Sequence, residues 1–259
     1  MNELKLFSAE LRRGWIQFIR YPAEAISGIF IITALFYGLF LGAKYVAGPG
    51  LQLGDRLDAI IVSYVLWTLV TFILFNTTGT LQNEAQTGTL EQLFLTPFGA
   101  PRVFLTRAIA DLFIQFVLIS TILILISLLT GRYLSFPPAL FLPLIAVIMG
   151  AYGISFALGS LALLLKRVQQ LLGVVQFALL FLMTISTESL TGSLKILGFL
   201  LPMTTGAGLL RDLMARQQPL NFTLLGFALL NGLFYFGLGL LLFRWAERET
   251  KRRGRLSGY

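Results

Sequence analysis

The chain has 259 residues, 56% hydrophobic and 12% charged, with a formal net charge of +8. Its mean hydropathy is +0.82, and a water-soluble domain carries roughly twice that share of charge, so an aqueous globular fold is excluded. The sequence contains no cysteine and no histidine, which removes disulfides, thiolate nucleophiles, imidazole bases and the commonest zinc ligands, and with them any catalytic or metal centre of those kinds.

Taken in chain order, residues 2 to 20 place Leu4, Phe7, Leu11, Trp15 and Phe18 at helical spacing, with Lys5, Arg12, Arg13, Gln17 and Arg20 mostly on other faces. That pattern, running through Tyr21-Pro22 into an apolar run, predicts an interfacial helix over 1–22. The run from Ala23 exceeds the roughly 7 to 15 residues of a signal-peptide core, so it is expected to remain as a span. Stretches such as Ile26 to Ala43 and Leu112 to Leu129 are apolar on every side, which fits helices crossing a core of about 30 Å and not the alternating strands of a barrel.

Six spans are expected at about 23–43, 59–80, 106–130, 139–165, 169–187 and 222–243, with a basic tail over 244–259, forming one all-α membrane domain. The fifth is short and polar. Between it and the sixth, Leu194 to Leu201 is an apolar piece ended by Pro202, too short to cross alone, and it is expected to form a re-entrant hairpin. Six spans place fourteen of the 20 Lys and Arg residues on the side of the N-terminus, Arg102, Arg107 and the tail. Lys44, Arg56, Arg132, Lys195, Arg211 and Arg216 fall on the other side, so the positive-inside rule predicts both termini in the cytoplasm. A seventh span would put the basic tail outside. The basic residues cluster at span ends, where topology and anionic lipid account for them and nucleic acid is not needed.

The connection between spans two and three, Leu81 to Pro101, is the most informative polar segment. Glu84, Gly88, Glu91 and Leu95 recur on one side of a short helix, beside an apolar surface of Leu90, Leu93, Phe94 and Pro97. A solvated loop lying on the bilayer is the plain alternative. The residues Glu84, Gly88, Thr89, Leu90, Glu91, Leu93, Thr96 and Pro97 resemble the motif of the ABC-2 type transporter permeases. The interfacial helix, six spans and hairpin are similar to that family in outline.

The resemblance implies that this segment is a coupling helix seated in a separate ATP-binding subunit, present in two copies. A second permease copy or paralogue would complete the dimer. It further implies an exporter driven by alternating access, with ATP and Mg bound on the partner and no cofactor on this chain. None of its five lysines follows a glycine, so a phosphate-binding loop is missing and the chain is not expected to be an enzyme by itself. The expected place is the cell membrane, of a bacterial cytoplasmic type, and the expected cargo is amphiphilic: a drug, a lipid or a lipid-linked glycan.

Span two carries Thr68, Thr71, Asn76, Thr77 and Thr78, and span five carries Gln176, Thr184, Ser186 and Thr187. Because the resembled family turns these spans toward the partner permease, Thr68, Thr71, Gln176 and Thr184 are candidates for the translocation path; bonding within the helix packing is the competing reading. Ala146 with Gly150, and Gly153 with Ala157, are small-residue pairs that suit close helix packing. Arg107 and Asp111 stand one turn apart and are expected to neutralise each other. A proton relay, as in an ion-coupled secondary transporter, would need further acids at that depth, and Asp111 is the only one well within a span.

Overall fold

A computed structural model describes residues 3–47, 54–87, 100–165, 168–184 and 198–252. The helices include α1 (Glu3–Arg20), α2 (Pro22–Ala47), α3 (Gly54–Thr87), α4 (Ala100–Thr130), α5 (Phe141–Leu165), α6 (Gln169–Thr184), α7 (Thr204–Met214) and α8 (Phe222–Arg252), with a 3-10 turn at Pro138–Leu140. No strand occurs among the described residues, as the apolar periodicity requires. Five of these helices, α2, α3, α4, α5 and α8, are long and apolar enough to cross a membrane. The fifth expected span, α6, has 16 residues in its described part, about 24 Å at about 1.5 Å per residue.

The helix ends follow local chemistry. Pro22 opens α2, where its missing N–H would have had no acceptor in any case. Asn221 caps α8, its Oδ1 accepting from the backbone N–H groups of Thr223 (3.0 Å) and Leu224 (3.2 Å).

Helix α3 is the centre of the bundle, with Ile61 to Thr71 buried without interruption. Aromatic side chains tie it and its neighbours together by donating to main-chain carbonyls of adjacent helices. Tyr64 donates to Ile32 (2.8 Å), Trp67 to Gln176 (3.0 Å) and Tyr152 to Ala108 (2.6 Å). In an apolar setting a phenol or indole must find such an acceptor, so these bonds fix helix register.

Helices α5 and α8 meet almost backbone to backbone. A Cβ built at Gly153 or Gly239 would collide with the facing main chain, at Tyr235 and at Gly153 respectively, so only glycine permits this approach. Gly232 lies against the main chain of Ala146. Of the small residues singled out in span four, Ala146 and Gly153 therefore serve packing against α8, and Gly150 seats the side chain of Met203.

Helix α7 has 11 residues, about 16 Å of length, and it does not traverse the bundle. Nearly all of it is buried among α3, α5 and α8. Met203, before its first turn, has φ 64°, a left-handed conformation that a methionine adopts only when its surroundings enforce it. Asn231 of α8 does so: its Nδ2 donates to the carbonyls of Phe199 (2.9 Å) and Leu201 (3.2 Å), and its Oδ1 accepts from Met203 N–H (3.3 Å). The C-terminal end of α7 returns to the mouth of the bundle, where Met214 O accepts from Ser135 N–H at 3.0 Å. The expected hairpin over Leu194 to Leu201 falls mostly outside the described residues; its described part, 198–200, is helical, and α7 follows beyond Pro202.

Large apolar side chains face outward, among them Phe30 (71% exposed), Phe181 (68%) and Leu241 (65%). Lipid or a partner helix is the fitting surrounding for such a belt.

Candidate functional site

The polar end of α3 and the start of α4 flank the segment that carries the sequence motif. Helix α3 continues past its apolar run to Thr87, and α4 begins at Ala100. Leu81 and Glu84, assigned from sequence to the connection, thus belong to α3. Nothing from Thr80 to Thr87 breaks a helix, and Leu81 is fully buried against Gly159 of α5, which holds this extension in place. Gly88, Thr89, Leu90, Glu91, Leu93, Thr96 and Pro97 lie outside the described residues.

Glu84 is one member of a three-helix charge cluster. Arg107 of α4 donates from Nη1 to Glu84 Oε1 at 2.5 Å, and from Nε and Nη2 to the two carboxylate oxygens of Glu10 on α1 at 3.1 and 3.4 Å. The planar guanidinium suits this fork, with one edge on Glu10 and the remaining corner on Glu84. The side chains of Arg107, Glu10 and Glu84 are only 11 to 12% exposed, so water screens the cluster weakly. Removing one partner of such a pair costs about 3 to 5 kcal/mol. Arg13 approaches Glu10 from the exposed side at 3.6 Å. The cluster binds the amphipathic helix α1 to the two helices that bracket residues 88–99.

This geometry corrects the expected Arg107–Asp111 neutralisation. Both residues are on α4, but Arg107 turns to the two glutamates, and Asp111 forms no ion pair among the described residues. Two carboxylates on separate helices offer three donors better geometry than one carboxylate a turn away on the same helix.

The four path candidates do not share one surface within this subunit. Thr68 is 1% exposed and its hydroxyl donates to Tyr64 O of its own helix at 2.9 Å, while Thr71 is also buried. Gln176 is half-buried on α6, and Thr184 is exposed, with its hydroxyl on Leu180 O at 2.7 Å. Helices α3 and α6 nevertheless pack side by side, joined by the Trp67 bond to Gln176 O.

Arg211 of α7 is a residue that sequence reasoning misplaces. Charge counting puts it with the exterior basic residues, yet it is 1% exposed. Its Nη1 donates to Met183 O at 2.6 Å and to Ser63 Oγ at 3.2 Å. The usable signal was its position in a short segment rich in small residues, Thr204-Thr205-Gly206-Ala207-Gly208, that can sink between larger helices.

Among the described residues no group of three carboxylates converges as a metal site. The sequence profile described as ABC-2 type transporter matches residues 5–215. Among curated proteins, none matches this sequence.

Proposed function

Because the chain belongs to the ABC-2 type transporter family, and is a multi-pass membrane permease component, we propose that it exports an amphiphilic substrate by alternating access. A separate ATP-binding subunit drives the movement. In this reading residues 88–99 dock into that subunit, two copies of the ATPase serve two permeases, and both termini are cytoplasmic. The stretch from Leu194 through α7 is re-entrant from the outer face. The pathway runs between the two permeases, with Gln176 and Thr184 closer to it than the buried Thr68 and Thr71.

The observation that carries this proposal is the Arg107 cluster. It joins α1, α3 and α4 at the base of the motif segment, so a push delivered there moves three helices as one body.

The test uses Glu91→Ala and Gly88→Pro, each co-expressed with the ATPase. Glu91→Ala is expected to insert normally, since a surface carboxylate contributes little to the fold. It should weaken ATPase docking or uncouple hydrolysis from transport, as truncating a buried interfacial charge costs about 2 to 5 kcal/mol. Gly88→Pro should be harsher, because proline within a helix costs about 3 kcal/mol or more. Co-purification, ATP hydrolysis and vesicle transport that all match wild type in both variants would remove the coupling assignment.

A further inference from the structure

The redirection of Arg107 leaves a second site on α4. Asp111 and Gln115, one helical turn apart, both line a cavity of about 410 Å³ bounded by α1, the Tyr21 junction, α2, α3 and α4. Its polar wall consists of Gln17, Glu24, Asn76, Thr80, Asp111 and Gln115, so it holds two carboxylates and no basic side chain. Phe18, Phe72, Ile114 and Leu118 form the apolar wall. The volume lies within the range of about 300 to 1,000 Å³ typical of ligand sites.

Gln115 supplies an independent sign of a ligand. It is 2% exposed, and its Oε1 accepts no hydrogen bond. A buried amide oxygen without a donor is destabilising, and an acid without a nearby counter-ion in an apolar wall is costly as well. Arg107 is held by Glu10 and Glu84 and acts on Asp111 only at longer range, as does Arg13. One group meets both needs: a primary ammonium brings a positive charge and three N–H donors.

A neighbouring groove on α1 narrows the choice. It is lined by Arg12, Arg13 and Arg20, and it shares Gln17 and Tyr21 with the acidic cavity. An acidic chamber next to a basic groove matches a zwitterion whose ammonium and phosphate are covalently close. We propose that this cavity binds the headgroup of an aminophospholipid. The ammonium sits between Asp111 and Glu24 and donates to Gln115 Oε1. The phosphate faces the α1 arginines, and the apolar tails leave along Phe72 and Leu118. The site lies within one subunit, apart from the proposed path between permeases.

The experiment purifies the full chain from vesicles of equimolar dioleoyl phosphatidylethanolamine and phosphatidylcholine and measures the retained lipid by mass spectrometry. Wild type is expected to enrich the ethanolamine lipid, because the quaternary choline lacks an N–H for Gln115. Asp111→Asn should lower that enrichment roughly tenfold, equal to about 1.4 kcal/mol. Gln115→Leu should bring the ratio of the two lipids toward that of the vesicle. Gln115→Glu should raise retention of the ethanolamine lipid, a gain that misfolding cannot imitate. Dodecylamine added as competitor separates the sources: displacement of an enriched phospholipid supports the shared ammonium site. Binding of the amine without phospholipid enrichment overturns the headgroup assignment. Retention at the vesicle ratio in wild type, or equal ratios in wild type and all three variants, overturns the site. The readout needs no ATP hydrolysis, so its failure is distinct from failure of the coupling assignment.

Discussion

At Arg211 the guanidinium reaches from α7 to α6, donating to Met183 O, a main-chain carbonyl near the end of that helix's described part. Arg211→Met keeps most of the volume but removes the donors to Met183 and Ser63. It is expected to destabilise the fold by about 1 to 3 kcal/mol, read as a lower melting temperature of the detergent-solubilised protein. Arg211→Lys keeps the charge without the planar fork and should fall between; a melting temperature unchanged in both variants would deny Arg211 this role. At the other end, Glu10→Gln and Glu84→Gln each weaken one arm of the Arg107 fork. Because the two carboxylates share one guanidinium, their effects on stability should be non-additive by about 0.5 to 3 kcal/mol in a double-mutant cycle, and strict additivity would argue against a shared clasp. The sequence marks Arg107 as a charge needing a partner but names the wrong one. Spacing along a helix reports only neighbours on that helix, whereas Glu10 is 97 residues away.

Among the elements, the pairing of α5 with α8 was the easiest to foresee on one side. Ala146, Gly150, Gly153 and Ala157 announce a smooth face on α5, but the sequence does not say that Gly232 and Gly239 of α8 receive it. Gly239→Leu should separate the two helices. Overpacking of a tight interface costs about 1 to 3 kcal/mol or more, and the same replacement at Gly237, where a Cβ meets open space, should be nearly silent. Comparable yields and melting behaviour for the two variants would exclude backbone-to-backbone packing as the basis of this pair. Helix α7 was not legible. It is buried by what surrounds it, with Gly206 against Pro143 and Val147 of α5 and Arg211 on Ser63 of α3, and not by a long apolar stripe of its own. Length and hydropathy detect helices that lipid stabilises, and miss a short one that protein encloses.

For the molecule as a whole, the composition already required membrane helices, and five of the expected six are long enough to span. The remaining expected span has the fewest apolar residues and the shortest described helix. It is tied to its neighbours by tertiary partners such as Trp67 and Arg211, which periodicity does not reveal. The orientation rests on charge and can be tested directly in a chain without native cysteine. A cysteine at Tyr133, which is 87% exposed, should react with an impermeant thiol reagent in intact cells. One placed in 253–259 should react only after the membrane is opened, and labelling of the tail from outside would invert the topology.

The glycine seam between α5 and α8 also sets an order of events during synthesis. Helix α5 emerges from the ribosome well before α8, and until Phe222 to Arg252 has been made its smooth face and Gly150 have no α8 beside them. Asn231, which holds Phe199 to Met203 in place, arrives in that same helix. Closure of the subunit therefore waits for α8 and is centred on that helix. A nascent chain halted before residue 222 would present quality-control proteases with an open seam, although most of its spans had already been inserted.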